Sequence, residues 1–152
     1  MNVSIRTADL ADEEAVVAIW RACGLTTAYN DPVADFRLAV AGCASTVLVA
    51  KTEIDVVVGT VMVGHDGHRG WLYYVAADPA HQRKGIGRTV VAAGERWLRD
   101  RAIAKVQLMV REENASVTQF YAQLGFEETP RILMAKWLTA PETQLVSRSG
   151  LP

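Results

Sequence analysis

Two kinds of hydrophobic periodicity alternate along the chain. Apolar residues with a period of two, or in short runs, predict six strands, at 3–5, 46–51, 56–63, 71–77, 105–110 and 132–138. Apolar residues that recur every three or four positions predict helices over 16–23, after Pro32, over 86–97 and over 114–124. Strands both precede and alternate with helices, which favours a mixed sheet covered by helices.

The fold class expected from this order is α/β, with an α+β mixed sheet of six to seven strands flanked by about four helices. The 152 residues, 50% of them hydrophobic and 22% charged, suffice for one core. We therefore predict one domain over residues 1–140. Residues 141–152 have little to bury and are expected to form a flexible tail.

Charge and composition narrow the function classes. The 16 basic and 17 acidic residues give a net charge of −1, which disfavours nucleic-acid binding as the main function. No apolar run approaches the roughly 20 residues of a membrane-spanning helix, and the first residues do not resemble a signal peptide. Cys23 and Cys43 form no metal-binding pattern and are expected to be reduced, partly buried thiols. We expect a cytoplasmic protein that contacts neither membrane nor nucleic acid.

A basic, glycine-rich segment, 82–88, connects the strand at 71–77 to the helix over 86–97. The start of a helix presents free backbone N–H groups, and glycines let an anion approach them. A Walker A loop would need Gly at position 82 and Lys at 88, where the chain has Gln82 and Arg88. A dinucleotide-binding GxGxxG motif would need a third Gly, where the chain has Val90. The segment predicts a phosphate or pyrophosphate site, and an empty strand-to-helix turn is the alternative.

A second motif lies further along the chain. Asn114 precedes Tyr121 by seven residues, and the predicted helix ends at Gly125-Phe126. Together with the pattern Gln-x-x-Gly-x-Gly at 82–87, this motif resembles the GNAT superfamily of N-acetyltransferases, over about residues 3 to 138. The segments 30–32, 65–70 and 73–74 are similar to its small bacterial YpeA-like branch.

The resemblance implies that the protein transfers an acetyl group from acetyl-CoA to a primary amine by direct attack in a ternary complex. The amine is a small molecule, an amino acid, or a protein N-terminus or lysine, and a homodimer is possible. Tyr121 would donate a proton to the departing thiolate, although a packed aromatic residue would look the same in the sequence. The residues expected to bind the coenzyme are Val75, Ala76, Ala77, Gln82, Arg83, Lys84, Gly85, Ile86, Gly87, Arg88 and Asn114.

The base that deprotonates the amine is open, because the strand at 71–77 lacks the Glu that many relatives carry. Glu112 is the first candidate for the base, and Glu113, Asp66, His65 and His68 are further candidates. Glu112 and Glu113 could equally be solvated loop charges. The turn at 65–70 superficially suggests metal ligands, but an Asp-Gly turn explains it, and no metal is expected.

Candidate acceptor-binding residues are Asn30, Asp31 and His68. Asn30 and Asp31 could bind the ammonium group of the acceptor, or they could form a turn and cap the helix after Pro32. Two other functions compete with catalysis: a coenzyme A-binding regulatory or sensor module, and an interaction domain with an empty glycine-rich turn.

Overall fold

The computed structural model describes residues 1–141, which form two compact units. The first comprises 1–26 and 31–109, and the second comprises 27–30 and the chain from Val110 onward. In the second unit, Tyr29 makes an edge-to-face contact with Trp137, with 5.9 Å between ring centroids. The predicted flexible tail, apart from Pro141, lies outside the described residues.

The strands all belong to the first unit and form one sheet in the order β1-β2-β3-β4-β5. Neighbouring strands run antiparallel, except that β4 and β5 run parallel. This mixed sheet, with four α-helices in the described residues, confirms the predicted α/β class. The strands are β1 (Val3–Thr7), β2 (Ser45–Thr52), β3 (Val57–His65), β4 (Gly70–Ala77) and β5 (Val106–Gln107).

The helices begin and end close to the predicted positions. Asp31 caps the second helix at its N-terminus, where its side chain accepts hydrogen bonds from the amides of Val33 and Ala34. The last helix starts at Val117 rather than near Asn114, because Glu112–Asn114 forms a separate 3₁₀ turn. The helices are α1 (Glu13–Ala22), α2 (Pro32–Ala41), α3 (Ile86–Arg99) and α4 (Val117–Gln123).

Alternation along β3 places α3 on one face of the sheet and α1 with α2 on the other. Gly59 and Val61 face α3, and Thr60 and Met62 face the opposite side. A fully buried cluster that includes Trp20 and other apolar side chains fills the α1–α2 side. Burial of these side chains supplies the main stabilisation of the first unit.

The strand predicted at 132–138 is wrong: these residues carry no regular strand, so the described sheet has five strands rather than six or seven. Apolar side chains in this segment are largely exposed, with Ile132 at 91% and Leu138 at 94%. A run of apolar residues fits a strand, but a strand also needs a neighbour for its backbone N–H and C=O groups. The local pattern cannot supply that neighbour.

Two smaller expectations concern the cysteines and the membrane. Cys23 is half-buried, as predicted, and its thiol donates to the carbonyl of Ala77 over 3.1 Å. Cys43 is exposed rather than partly buried, because it follows the end of α2 in the connection to β2. No helix in the described part of the chain has the length and apolar character to cross a membrane.

Candidate functional site

Among the described residues, the edge of β4 that faces β5 is unpaired towards the carboxyl end of the strand. Pairing with β5 covers only Gly70 opposite Val106 and Trp71 opposite Gln107. From Leu72 to Ala77, β4 has no strand partner on that side among residues 1–141. This stretch includes the predicted binding residues 75–77, and an unpaired strand edge is the kind of surface with which an extended ligand pairs.

A tight turn joins the open end of β4 to α3. Asp78 caps a 3₁₀ turn at Pro79–His81 by accepting a hydrogen bond from the amide of Ala80 at 3.0 Å. Arg83 and Gly85 then adopt left-handed backbone conformations, with φ of 62° and 77°. Glycine reaches this region without the steric cost that a Cβ imposes. The turn thus brings the chain directly from the end of β4 to the first residue of α3.

Close packing fixes the start of α3 against the sheet. A Cβ at Gly59 would overlap the side chain of Ile86, so the glycine on β3 allows the helix to approach closely. Ile86 is 2% exposed, which anchors the first helical residue. The position of the helix start is therefore set by the sheet rather than by the turn alone.

The start of α3 has the features of an anion site. The first amides of an α-helix lack partners within the helix, and its dipole is positive there. Arg83, Lys84 and Arg88 are exposed, and within residues 1–141 none forms an ion pair. Three cationic side chains around a helix start, next to an open strand edge, fit a ligand with an extended amide-bearing arm and a pyrophosphate.

A family model agrees with this geometry. The acetyltransferase (GNAT) family model matches residues 13–126, which include the open strand, the turn and α4. The chain belongs to the GNAT family of acetyltransferases. An acetyltransferase of Pectobacterium atrosepticum is 36% identical over 127 residues, which are 84% of this chain and 89% of that protein.

Solved structures share the GNAT fold at lower identity. AAC(6')-Iy, solved with a bisubstrate analogue of coenzyme A and acetylneamine, has a TM-score of 0.75 and 18% identity, covering 90% of this chain and 99% of that one. A protein described as a transcriptional regulator from Bacillus halodurans has a TM-score of 0.72 and 22% identity, covering 90% and 100% of the two chains. At these identities the likeness establishes the fold alone.

The second unit contains the other GNAT motif. Asn114 is exposed in the 3₁₀ turn before α4, and Tyr121 lies on α4. The Tyr121 ring packs edge-to-face against Phe120 and Phe126, with centroids 5.0 and 5.6 Å away. Burial raises the pKa of Tyr121. Its hydroxyl has no hydrogen-bond partner among the residues that the structure describes.

The candidate bases have different surroundings. Glu112 and Glu113 are exposed in their 3₁₀ turn, which also suits solvated charges, and the base role of Glu112 stays a prediction. Asp66 accepts hydrogen bonds from the amides of His68 and Arg69, at 2.9 and 2.7 Å. The Arg69 amide is the largest cause of a lowered pKa at Asp66, which makes this carboxylate a weak base.

The turn between β3 and β4 is an Asp-Gly turn, as the sequence suggested. The amide of Gly67 donates to Nδ1 of His65 at 3.1 Å, and Asp66 is occupied by the turn amides. No group of three or more potential ligands that could hold a metal occurs among residues 1–141. His65 and Asp66 therefore serve the turn itself.

The candidate acceptor residues belong to different parts of the chain. Asp31 caps α2, the structural role that the sequence offered as an alternative. His68 is exposed in the turn after Asp66. Asn30 belongs to the second unit, where its backbone N–H donates a hydrogen bond to the carbonyl of Thr27. An acceptor role for these three residues stays a prediction.

Sequence reasoning missed a feature of β4. Tyr74 has a left-handed φ of 49°, at an irregularity in the pairing with β3. The adjacent aromatic pair Tyr73-Tyr74 was the available signal, because two consecutive large side chains break the alternation expected of a strand.

Proposed function

We propose that this GNAT protein transfers an acetyl group from acetyl-CoA to a primary amine by direct attack in a ternary complex. The observation that carries the proposal is the continuous path from the open edge of β4, at 72–77, to the basic turn at 82–88. An extended amide-bearing arm matches the first, and a pyrophosphate matches the second.

In this proposal the backbone of Val75 and Ala77 pairs with the extended arm of the coenzyme. The amides of Gly87 and Arg88, with the charges of Arg83 and Lys84, hold the pyrophosphate. Ile86 anchors the helix start by its burial, and Gly85 gives the turn its left-handed residue. Gln82, Ala76 and Asn114 complete the proposed binding set.

The chemistry removes two protons from the acceptor nitrogen and delivers one to the leaving thiolate. Bound acetyl-CoA supplies an activated thioester. The amide of Val75 stabilises negative charge on the thioester oxygen as the amine attacks. Glu112 takes the proton that the acceptor ammonium must lose before the amine attacks. As the C–S bond breaks, Tyr121 gives its phenolic proton to the departing thiolate, and the second proton that the amide nitrogen loses passes through water to restore the phenol. A raised pKa suits Tyr121 to this task, because the phenol stays protonated at neutral pH.

The test is release of coenzyme A from acetyl-CoA across a panel of small amines, amino acids and peptides. Wild type is compared with Tyr121→Phe and with Tyr29→Phe, which removes a hydroxyl elsewhere in the second unit. We expect acceptor-dependent release that falls on the order of 100-fold in Tyr121→Phe alone. Equal rates in all three proteins would remove Tyr121 from the mechanism.

A regulatory module that binds coenzyme A without catalysis is the second candidate. It is favoured by the absence of a carboxylate on β4 between Gly70 and Ala77. Tight binding of acetyl-CoA without release of coenzyme A for any acceptor in the panel would support this candidate. A protein that did not bind acetyl-CoA would refute both proposals.

The partners and compartment of the protein also remain proposals. We propose a cytoplasmic protein that acts on an amine acceptor, possesses no metal and associates as a homodimer. Asn30, Asp31 and His68 are its proposed acceptor contacts. Light scattering in solution measures the oligomeric state, and a monomeric mass would contradict the dimer.

A further inference from the structure

The pairing between β3 and β4 contains a bulge at the open part of β4. Thr60 lies opposite Ala76 and Met62 lies opposite Tyr73, so Tyr74 and Val75 together face one residue of β3. Tyr74 adopts a left-handed φ of 49°, a conformation in which its Cβ is crowded. Such a residue persists only when its surroundings hold it, and bulges often redirect groups beside a site.

Three elements hold Tyr74 in this conformation. From α1, the Trp20 ring stacks on the Tyr74 ring with 3.8 Å between centroids and 12° between planes. From β3, the Thr60 hydroxyl donates to the Tyr74 carbonyl at 3.0 Å. From α2, Asp35 accepts a hydrogen bond from the Tyr74 hydroxyl at 2.7 Å. The backbone and both ends of the side chain are thus restrained at once.

Thr60 connects two of these restraints. Its hydroxyl accepts a hydrogen bond from Nε1 of Trp20 at 2.9 Å while it donates to Tyr74. Thr60 and Trp20 are both 0% exposed, so water cannot replace either hydrogen bond. A valine at position 60 would fill nearly the same volume but could neither donate nor accept. The hydroxyl is therefore the feature that fixes the Tyr74 carbonyl.

The restrained residue immediately precedes the amide that the proposed function uses. Val75 lies on the stretch of β4 with no strand partner on the β5 side among residues 1–141. The orientation of the Val75 amide depends on the peptide unit that it shares with Tyr74. We propose that Thr60 and Asp35 are positioning residues, which hold Tyr74 in the bulge and thereby aim the Val75 amide at the thioester oxygen. This inference rests on the proposed acetyl transfer.

The first experiment compares Thr60→Val with Thr60→Ser, which keeps the hydroxyl. We expect Thr60→Val to lower kcat on the order of 10- to 100-fold, with the Kd for acetyl-CoA changed less than about threefold, because only interactions made in the transition state are lost. Thr60→Ser should stay within about fivefold of the wild-type kcat. An unchanged kcat per folded molecule in Thr60→Val would overturn the inference.

A second readout does not depend on the acceptor. The ¹⁵N–¹H resonance of Val75 should shift more with acetyl-CoA than with coenzyme A in wild type, because only the thioester presents a carbonyl oxygen. We expect this difference to disappear in Thr60→Val and to persist in Thr60→Ser. A difference that persists in Thr60→Val would show that the hydroxyl does not aim the amide.

Asp35 provides the same test if Thr60→Val does not fold. Asp35 is half-buried, and Asp35→Asn retains an oxygen that can accept from the Tyr74 hydroxyl, whereas Asp35→Ala does not. We expect kcat and the Val75 shift to change in Asp35→Ala and to be restored in Asp35→Asn. Equal behaviour of the two variants would exclude positioning through Tyr74.

The outcomes separate the inference from the function on which it rests. Wild type that transfers acetyl groups but shows no specific Val75 shift would overturn the inference and leave acetyl transfer intact. Wild type that binds no acetyl-CoA would overturn both.

Discussion

Replacing Gly85 by Ala tests the connection between the turn and coenzyme binding. Gly85 is the residue before α3, and its φ of 77° is left-handed. A Cβ built there meets no atom within 4 Å, so the substitution creates no steric clash with the surroundings. Its entire effect must come from the backbone conformation that an alanine resists.

The cost can be worked from that conformation. An L-residue in the left-handed region loses roughly 1–2 kcal/mol relative to glycine. If the turn keeps its shape, the protein loses this free energy of unfolding, which lowers Tm by about 2–4 °C per kcal/mol. If the turn relaxes, the amides at the start of α3 move. Loss of one hydrogen bond to a charged phosphate, worth about 1.5–3 kcal/mol, then weakens acetyl-CoA binding by roughly 10- to 100-fold.

Gly67→Ala is the matched control. Gly67 has a φ of 83° and open space around its Cβ position, but it lies in the turn at the opposite end of β4. Calorimetry would give the Kd for acetyl-CoA, and thermal unfolding would give Tm. We expect Tm to fall in both variants and the affinity for acetyl-CoA to fall only in Gly85→Ala. Wild-type affinity in Gly85→Ala would refute the assignment of this turn to the coenzyme.

Three further predictions concern stability and pH. Phe36→Ala should cost about 3–5 kcal/mol in urea unfolding because Phe36 is 0% exposed. The control Leu38→Ala, at a residue 77% exposed, should cost within about 0.5 kcal/mol. Arg6, by its hydrogen bonds, lowers the pKa of Asp12, so this carboxylate stabilises the fold above its unfolded pKa. Asp12→Asn should lose about 1.5 kcal/mol at pH 7, since Arg6 is partly solvated, and a loss that did not shrink towards pH 3 would contradict the linkage. Since burial raises the pKa of Tyr121, its ionisation should not lower kcat below about pH 10. An alkaline limb below pH 9 that vanished in Tyr121→Phe would show the opposite.

Local patterns along the chain determined most of the secondary structure. The helical period from Ile86 to Trp97 and the capping residue Asp31 both act within one or two helical turns. The helices that they specify can therefore be recognised from the sequence alone. The turn at 82–88 can be recognised in the sequence for the same reason, because a glycine before a helix and neighbouring cations are local features. The sequence thus predicted an anion site at this turn, which stays a prediction, and by resemblance the GNAT family, which the family model confirmed.

Packing between distant segments determines which groups surround the open strand. Trp20, Asp35 and Thr60 are distant in sequence from Tyr74, and no local period shows that they converge on it. The absence of a regular strand at 132–138 has the same origin, because strand formation depends on a partner elsewhere in the chain. The hydrophobic period and the capping residues specify which helix or strand a segment can form. Strand pairing and packing between distant segments decide which of these it does form.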